Sequence, residues 1–228
     1  MTTNEFSTEF DVLTEGKLSL DEYEKSVYLT QAQEEIVVAL YNGSYKNESF
    51  ETTEEMRRYL EPLVKTINLV DDEKDSNVTM SSGTSFVNSK IFKLPKDLWF
   101  ITQESVIFAD DSLGCRNNLQ IEVVPIRQDE YNRIKDNPFR TANERRVLRI
   151  DIGSSKVEII SKYKIGVYSV KYLSKPSPIV LEDFSNDNLS INNEIMKQSC
   201  MLHSALHRLI LNRAVQIALS KITAQNNV

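Results

Sequence analysis

Apolar positions along the chain change their period twice. In the first 70 residues they recur at helical spacing. Phe6, Phe10, Val12 and Leu13 predict a short helix of one or two turns. Tyr23, Val27, Ile36, Val37, Leu40 and Tyr41 predict a long one that stops at Asn42-Gly43, with a weaker middle turn over 29–33. Met56, Leu60, Leu63, Val64 and Ile67 predict a third helix, kinked at Pro62, where the missing amide costs a hydrogen bond. Two S/T-x-x-E boxes, Ser19 with Glu22 and Thr52 with Glu55, mark the expected starts of the second and third helices, the second beginning near Leu20.

From residue 85 the period becomes two. The runs 85–110, 119–126, 145–153, 156–160 and 164–173 read as strands at short intervals, interrupted by one helical segment at 128–135. A last helix follows, in which Leu202, Leu206, Leu209, Ile210, Ala214 and Ile217 form an apolar stripe. This order predicts an α+β fold: N-terminal and C-terminal helices packed as a bundle with a central antiparallel β-sheet or small sandwich. The expected divisions are a helical region at 1–75, a β subdomain at 76–185, and a loop with the C-terminal helix at 186–228, all in one folding unit. The polar stretch 71–85 reads as a linker.

The stretch "VYSVKYLSKPSPIVLEDFSND" (167–187) breaks the strand pattern. Pro176 and Pro178 remove amide donors that a central strand needs, yet Ile179, Val180 and Leu181 follow at once. We therefore expect an extended arm at 175–183 whose three apolar residues pack on an adjacent subunit. The alternative is a crossover folded over the chain's own core.

Charge alters this picture more than composition does. The net charge of −6 conceals 7 Lys/Arg against 18 Asp/Glu in residues 1–75, a balance of −11 that leaves +5 for the rest. Such an asymmetry speaks about partners rather than fold. The acidic back of the long helix carries Glu22, Glu24, Glu34 and Glu35. No apolar run approaches the roughly 18 residues of a membrane span, and no signal peptide is read at the start, so a soluble protein made in the cytoplasm is expected, without a membrane partner. Cys115 and Cys200 lie far apart with no C-x-x-C pairing, which reads as two reduced thiols.

Candidate chemistry is sparse. His203 and His207 have the i, i+4 spacing of a zinc pair but lack the neighbouring glutamate and a third ligand, so no metal is expected. Neither phosphate-binding glycine motif occurs in a chain with 6 glycines, no G-x-S-x-G elbow is present, and no cofactor is expected. The Gly153–Lys156 stretch reads as a hairpin turn. The basic cluster Arg140, Arg145, Arg146 and Arg149 lacks the aromatic interleaving and surrounding motif of a nucleic-acid reader. Arginine is favoured at protein interfaces, so a subunit contact is the leading reading. A monomeric regulatory or DNA-binding module that uses the same cluster is the alternative.

Several quoted segments together carry a resemblance: "LDEYEKSVYLTQAQEEIV", "KLPKDLWFI", "DEYNRIKDNPFR" with "RVLRIDI", "VYSVKYLSKPSPIVLED" and "LHRLILNRAVQIAL", in collinear order over most of the chain. The sequence resembles the head-to-tail connector (neck ring or adaptor) proteins of crAss-like tailed bacteriophages. The resemblance implies a non-enzymatic virion protein of the neck, assembled as a homo-oligomeric ring of twelve copies below the portal. It also implies further neck or tail proteins as partners, and DNA passing through the channel without sequence-specific binding. Part of the acidic face, with Glu22, Glu24, Glu34 and Glu35, is then expected to face that channel, where it would repel phosphate. The family has no catalytic residues to carry over.

Overall fold

The computed structural model describes residues 1–15, 18–44, 48–70, 86, 88–185 and 189–225. The expected linker 71–85 and the Gly16 stop after the first helix lie outside them. The chain forms two compact units, one of residues 1–63 with 175–228 and one of residues 64–174.

The first unit is helical. Helix α1 (Thr3–Leu13) is longer than the sequence suggested, because Thr2 and Glu5 form a reciprocal capping box that starts it two residues into the chain. Helix α2 (Glu22–Asn42) is capped by Asp21 with Glu24 rather than by Ser19 with Glu22, and it ends at Gly43 in the left-handed conformation (φ 77°). Helix α3 (Glu54–Leu60) stops before Pro62. Helix α5 (His207–Gln225) packs against α2 and α1, so the terminal helices form the expected bundle around Phe6, Phe10, Leu29, Val37, Ile210 and Ala214.

The second unit is a seven-stranded sheet in the order β1-β7-β3-β4-β5-β6-β2. Its first strand, β1 (Val64–Leu69), corrects the helical reading of Val64 and Ile67. Pro62 ends the helix, and "VKTINL" then alternates and carries β-branched residues that favour a pleat. The run at 85–110 divides at the Pro95 turn into β2 (Lys90–Lys93) and β3 (Leu98–Phe108). Strands β4 (Gln120–Pro125), β5 (Arg146–Gly153), β6 (Lys156–Ile160) and β7 (Ile165–Ser174) follow as expected, and β5 turns into β6 at Ser154-Ser155.

The sheet is antiparallel except at one place. Strands β4 and β5 run parallel, because helix α4 (Gln128–Ile134) is a crossover between them and not an insertion into a hairpin. Strand alternation then sends Val123, Val147 and Ile159 into one core with Tyr168 and Phe92. Leu148, Ile150 and Ile160 enter a second core under Tyr131 and Ile134 of α4.

Candidate functional site

The segment after β7 is where structure and sequence differ most. Ile179 and Val180 are fully buried and Leu181 nearly so, all within the helical unit. Helix α2 holds their backbone. Ser26 Oγ accepts from the Leu181 amide at 3.0 Å, Thr30 Oγ1 accepts from the Ile179 amide at 3.1 Å, and Gln33 Nε2 donates to the Ser177 carbonyl at 2.8 Å. Val180 also exchanges a pair of 2.9 Å hydrogen bonds with Gln198. The expectation of an arm that docks outside its own chain is therefore corrected: Lys175–Asp183 is a crossover on the chain's own core. Ser26, Thr30 and Gln33 lie at i, i+4 and i+7, a buried polar row that serves the extended backbone as a strand would. That row is why the middle of α2 looked weakly amphipathic.

The four glutamates of α2 do not make a free acidic strip. Glu22 accepts from Ser7 and pairs with Lys25 at 3.0 Å, Glu24 caps Asp21, Glu34 pairs with Lys175 at 3.0 Å, and Glu35 pairs with Arg213 at 2.7 Å. Lys25 is itself buried. Burial pulls its pKa down, but hydrogen bonds and charges from Asp11 and Glu22 outweigh this and raise it overall. Lys25, Asp11 and Glu22 thus serve the packing of α1 on α2.

The arginine cluster also divides. Arg149, on β5, turns into the sheet and pairs with Glu104 at 2.6 Å, both side chains being nearly buried. Tyr168 donates to the other Glu104 oxygen at 2.6 Å. Burial pushes the Glu104 carboxyl up, against the opposing pull of Tyr168 and Arg149. Arg149 is therefore a core residue and not an interface residue. Arg146 is half-buried, with Nη2 donating to the Phe139 carbonyl at 2.8 Å. Only Arg140 and Arg145 stay exposed, and neither has an ion-pair partner among the described residues.

Phe139, directly before Arg140 in the chain, is 84% exposed. Its loop is held rigidly. Asn137 Oδ1 accepts from the Phe139 amide at 3.0 Å, the Asn137 carbonyl accepts from the Arg140 and Thr141 amides, and buried Ala142 anchors the loop in the core under α4. Arg116 and Glu144 close its far side as an ion pair.

The histidines are used locally. His207 is buried; its Nε2 donates to the Leu202 carbonyl at 3.0 Å, which leaves Nδ1 to accept from the Met1 ammonium at 2.6 Å. Burial first, and the adjacent positive charge with it, lowers its pKa. His203 instead caps the turn before α5, where its Nδ1 accepts from the Ala205 amide. The two do not share a ligand position, and among the described residues no group of three or more metal-ligating side chains is assembled. A cleft of about 580 Å³ opens where β3 and β4 diverge, lined by Ile101, Gln103, Glu104, Gln120, Glu122 and Val123 among others. Glu104 is already engaged inside the sheet.

The two thiols differ in environment. Cys115 is exposed, whereas Cys200 is buried, donates to Gln33 Oε1 at 3.2 Å, and has its pKa pushed by burial up to about 11. Thiolate is the reacting form, so brief treatment of the native protein with iodoacetamide is expected to alkylate one cysteine, and treatment in denaturant both. Mass spectrometry reads the difference. Equal labelling of both thiols in the native protein would contradict the buried position of Cys200.

Comparison with known proteins adds a wider frame. A family model described as phage tail ring protein 3/4 matches residues 1–228. The chain is 44% identical to Ring protein 3 of Bacteroides phage crAss001, over 96% of this chain and 95% of that protein. It is 32% identical to Ring protein 4/5 of the same phage, over 96% of this chain and 92% of that protein.

Proposed function

The chain belongs to the phage tail ring protein 3/4 family, and from that premise we propose that it closes into a ring of twelve copies in the virion neck, below the portal. There it links the portal to the tail around the channel through which the genome leaves. The role is structural and not catalytic. The end-to-end likeness to Ring protein 3 carries this reading.

Three features of the chain support it. The opposed charge of its two units suits head-to-tail association, in which one surface meets a different surface of the next copy. The helical unit holds 10 Lys/Arg against 18 Asp/Glu, a balance of −8, and the sheet unit 17 against 15, a balance of +2. A chain of net charge −6 also favours sliding over sticking when DNA passes, since tight phosphate contact needs clustered cations. Two side chains of the kinds that serve catalysis, His207 and Cys200, are engaged inside the helical core. The DNA-binding alternative loses half of its basic cluster, since Arg149 is buried in an ion pair and Arg146 is tied to its own loop.

Cryo-EM of the neck of virions that carry this chain tests the reading. The expected result is a twelve-fold ring of it between the portal and the tail. Finding the chain outside any ring, or present only as single copies, would overturn the proposal.

A further inference from the structure

The Phe139 loop has the form of a plug without a socket on its own unit. An exposed phenyl ring is costly to leave in water, and aromatic and arginine side chains dominate the energetic centres of interfaces. Here one such ring shares a hydrogen-bonded loop with Arg140 and Arg145, neither of which has an ion-pair partner among the described residues. Preorganisation of that kind lowers the entropy cost of docking.

A matching surface exists at the C-terminal end of α1. Val12 is 69% exposed and Leu13 44%, side by side on the last turn. Asp11 and Glu9 flank them; Asp11 pairs with Lys25 at 2.8 Å and Glu9 with Arg208 at 3.6 Å within their own copy, yet both carboxylates stay partly exposed. The last turn carries no basic residue, so the partial negative charge of the helix end is uncompensated by its own sequence. Apolar centre and acidic rim on α1 mirror the apolar centre and basic rim of the loop. The helical unit that bears the one is net negative, and the sheet unit that bears the other is net positive.

We propose that these two surfaces are the two halves of one subunit contact: the Phe139 loop of one copy, with Arg140 and Arg145, seats on Val12 and Leu13 at the end of α1 in a second copy. Because the two patches differ, the contact is heterologous and repeats from copy to copy. The inference rests on the ring reading above and names the surfaces that close the ring.

A cross-link within assembled virions tests it. The full chain carrying Thr8→Cys and Pro138→Cys, which lie beside the two patches and leave Val12, Leu13 and Phe139 in place, with the exposed Cys115 replaced by serine, is supplied during infection, and purified virions are oxidised briefly. Both substituted positions are solvent-exposed in the single copy. The expected result is a ladder of covalent multimers on a non-reducing gel, which collapses on reduction and is lost from either single-cysteine variant. Rings visible by cryo-EM with no ladder, or a cross-link confined to single chains, would overturn this contact and leave the ring reading standing. Virions that contain the chain but no ring of it would overturn both.

Discussion

Replacing Ile179, Val180 and Leu181 together by serine is expected to abolish the cooperative folding of the helical unit in the isolated protein. Each of the three side chains is buried against the helices of that unit. Their transfer from water contributes about 2 kcal/mol apiece. Three such losses, about 6 kcal/mol before any cavity is counted, approach the whole stability of an ordinary domain of about 5–15 kcal/mol. Serine adds hydroxyl groups to sites whose hydrogen-bonding atoms are already matched, since Ser26, Thr30 and Gln33 hold the neighbouring backbone. Circular dichroism against temperature reads the outcome as a lost or strongly lowered transition. A melting curve close to that of the unsubstituted protein would mean that the segment is detachable, and the crossover assignment would be wrong.

This segment also marks what the sequence could and could not convey. The prolines correctly announced that the chain leaves its sheet at Ser174, since β7 ends there. What the residues could not announce was the acceptor of the extended backbone. That acceptor is a row of small polar side chains on a helix about 150 positions earlier, and in one dimension Ser26, Thr30 and Gln33 look like a gap in an apolar stripe. Burial of a polar row becomes intelligible only when its hydrogen-bond partners are known. The same limit divided the arginines. Arg145, Arg146 and Arg149 are near neighbours in sequence, but Arg149 lies within β5, where its side chain meets Glu104 of β3 across the curled sheet. Sequence proximity made a cluster of them, and strand geometry separates it.

Elements with strong local signals were legible. The strand runs from β4 to β7, the α4 segment and the α2 stop at Gly43 stand where the pattern put them, because each is decided within a few residues, whereas the C-terminal helix begins at His207, after Leu202 and Leu206 of the expected stripe. Parallel pairing of β4 with β5 is a long-range outcome of the α4 crossover. No local feature distinguishes a crossover helix from one inserted in a hairpin. The Phe139 loop was half-legible. Its residues were noted for their charge, while the feature that makes it a candidate contact, a rigid loop presenting an exposed ring, exists only once Asn137, Ala142 and Arg146 have closed around it.

The second large effect expected is at the buried pair in the sheet. Arg149→Met removes the guanidinium from a Glu104 carboxylate that, among the described residues, keeps only the Tyr168 hydroxyl as a side-chain donor. Stranding one member of a buried ion pair typically costs about 3–5 kcal/mol. Burial already raises the Glu104 pKa above its usual 4.5 in the native protein, so folding disfavours the ionised form. A carboxyl whose folded pKa lies above its unfolded value costs stability at pH above the folded pKa, and that cost is relieved as the pH falls through it. Without Arg149 the folded pKa rises further, and the loss at pH 7.5 is expected to shrink as the solution is acidified toward pH 5, opposite to the response of an ordinary surface salt bridge. Glu104→Gln combined with Arg149→Met leaves no stranded charge and is expected to recover much of the stability at pH 7.5. Urea melts of the three variants at both pH values decide the matter. A single Arg149→Met loss below about 1 kcal/mol, or a double variant no more stable than the single, would show that the pair is not the buried structural unit described here, and Arg149 would return to the candidates for a subunit contact.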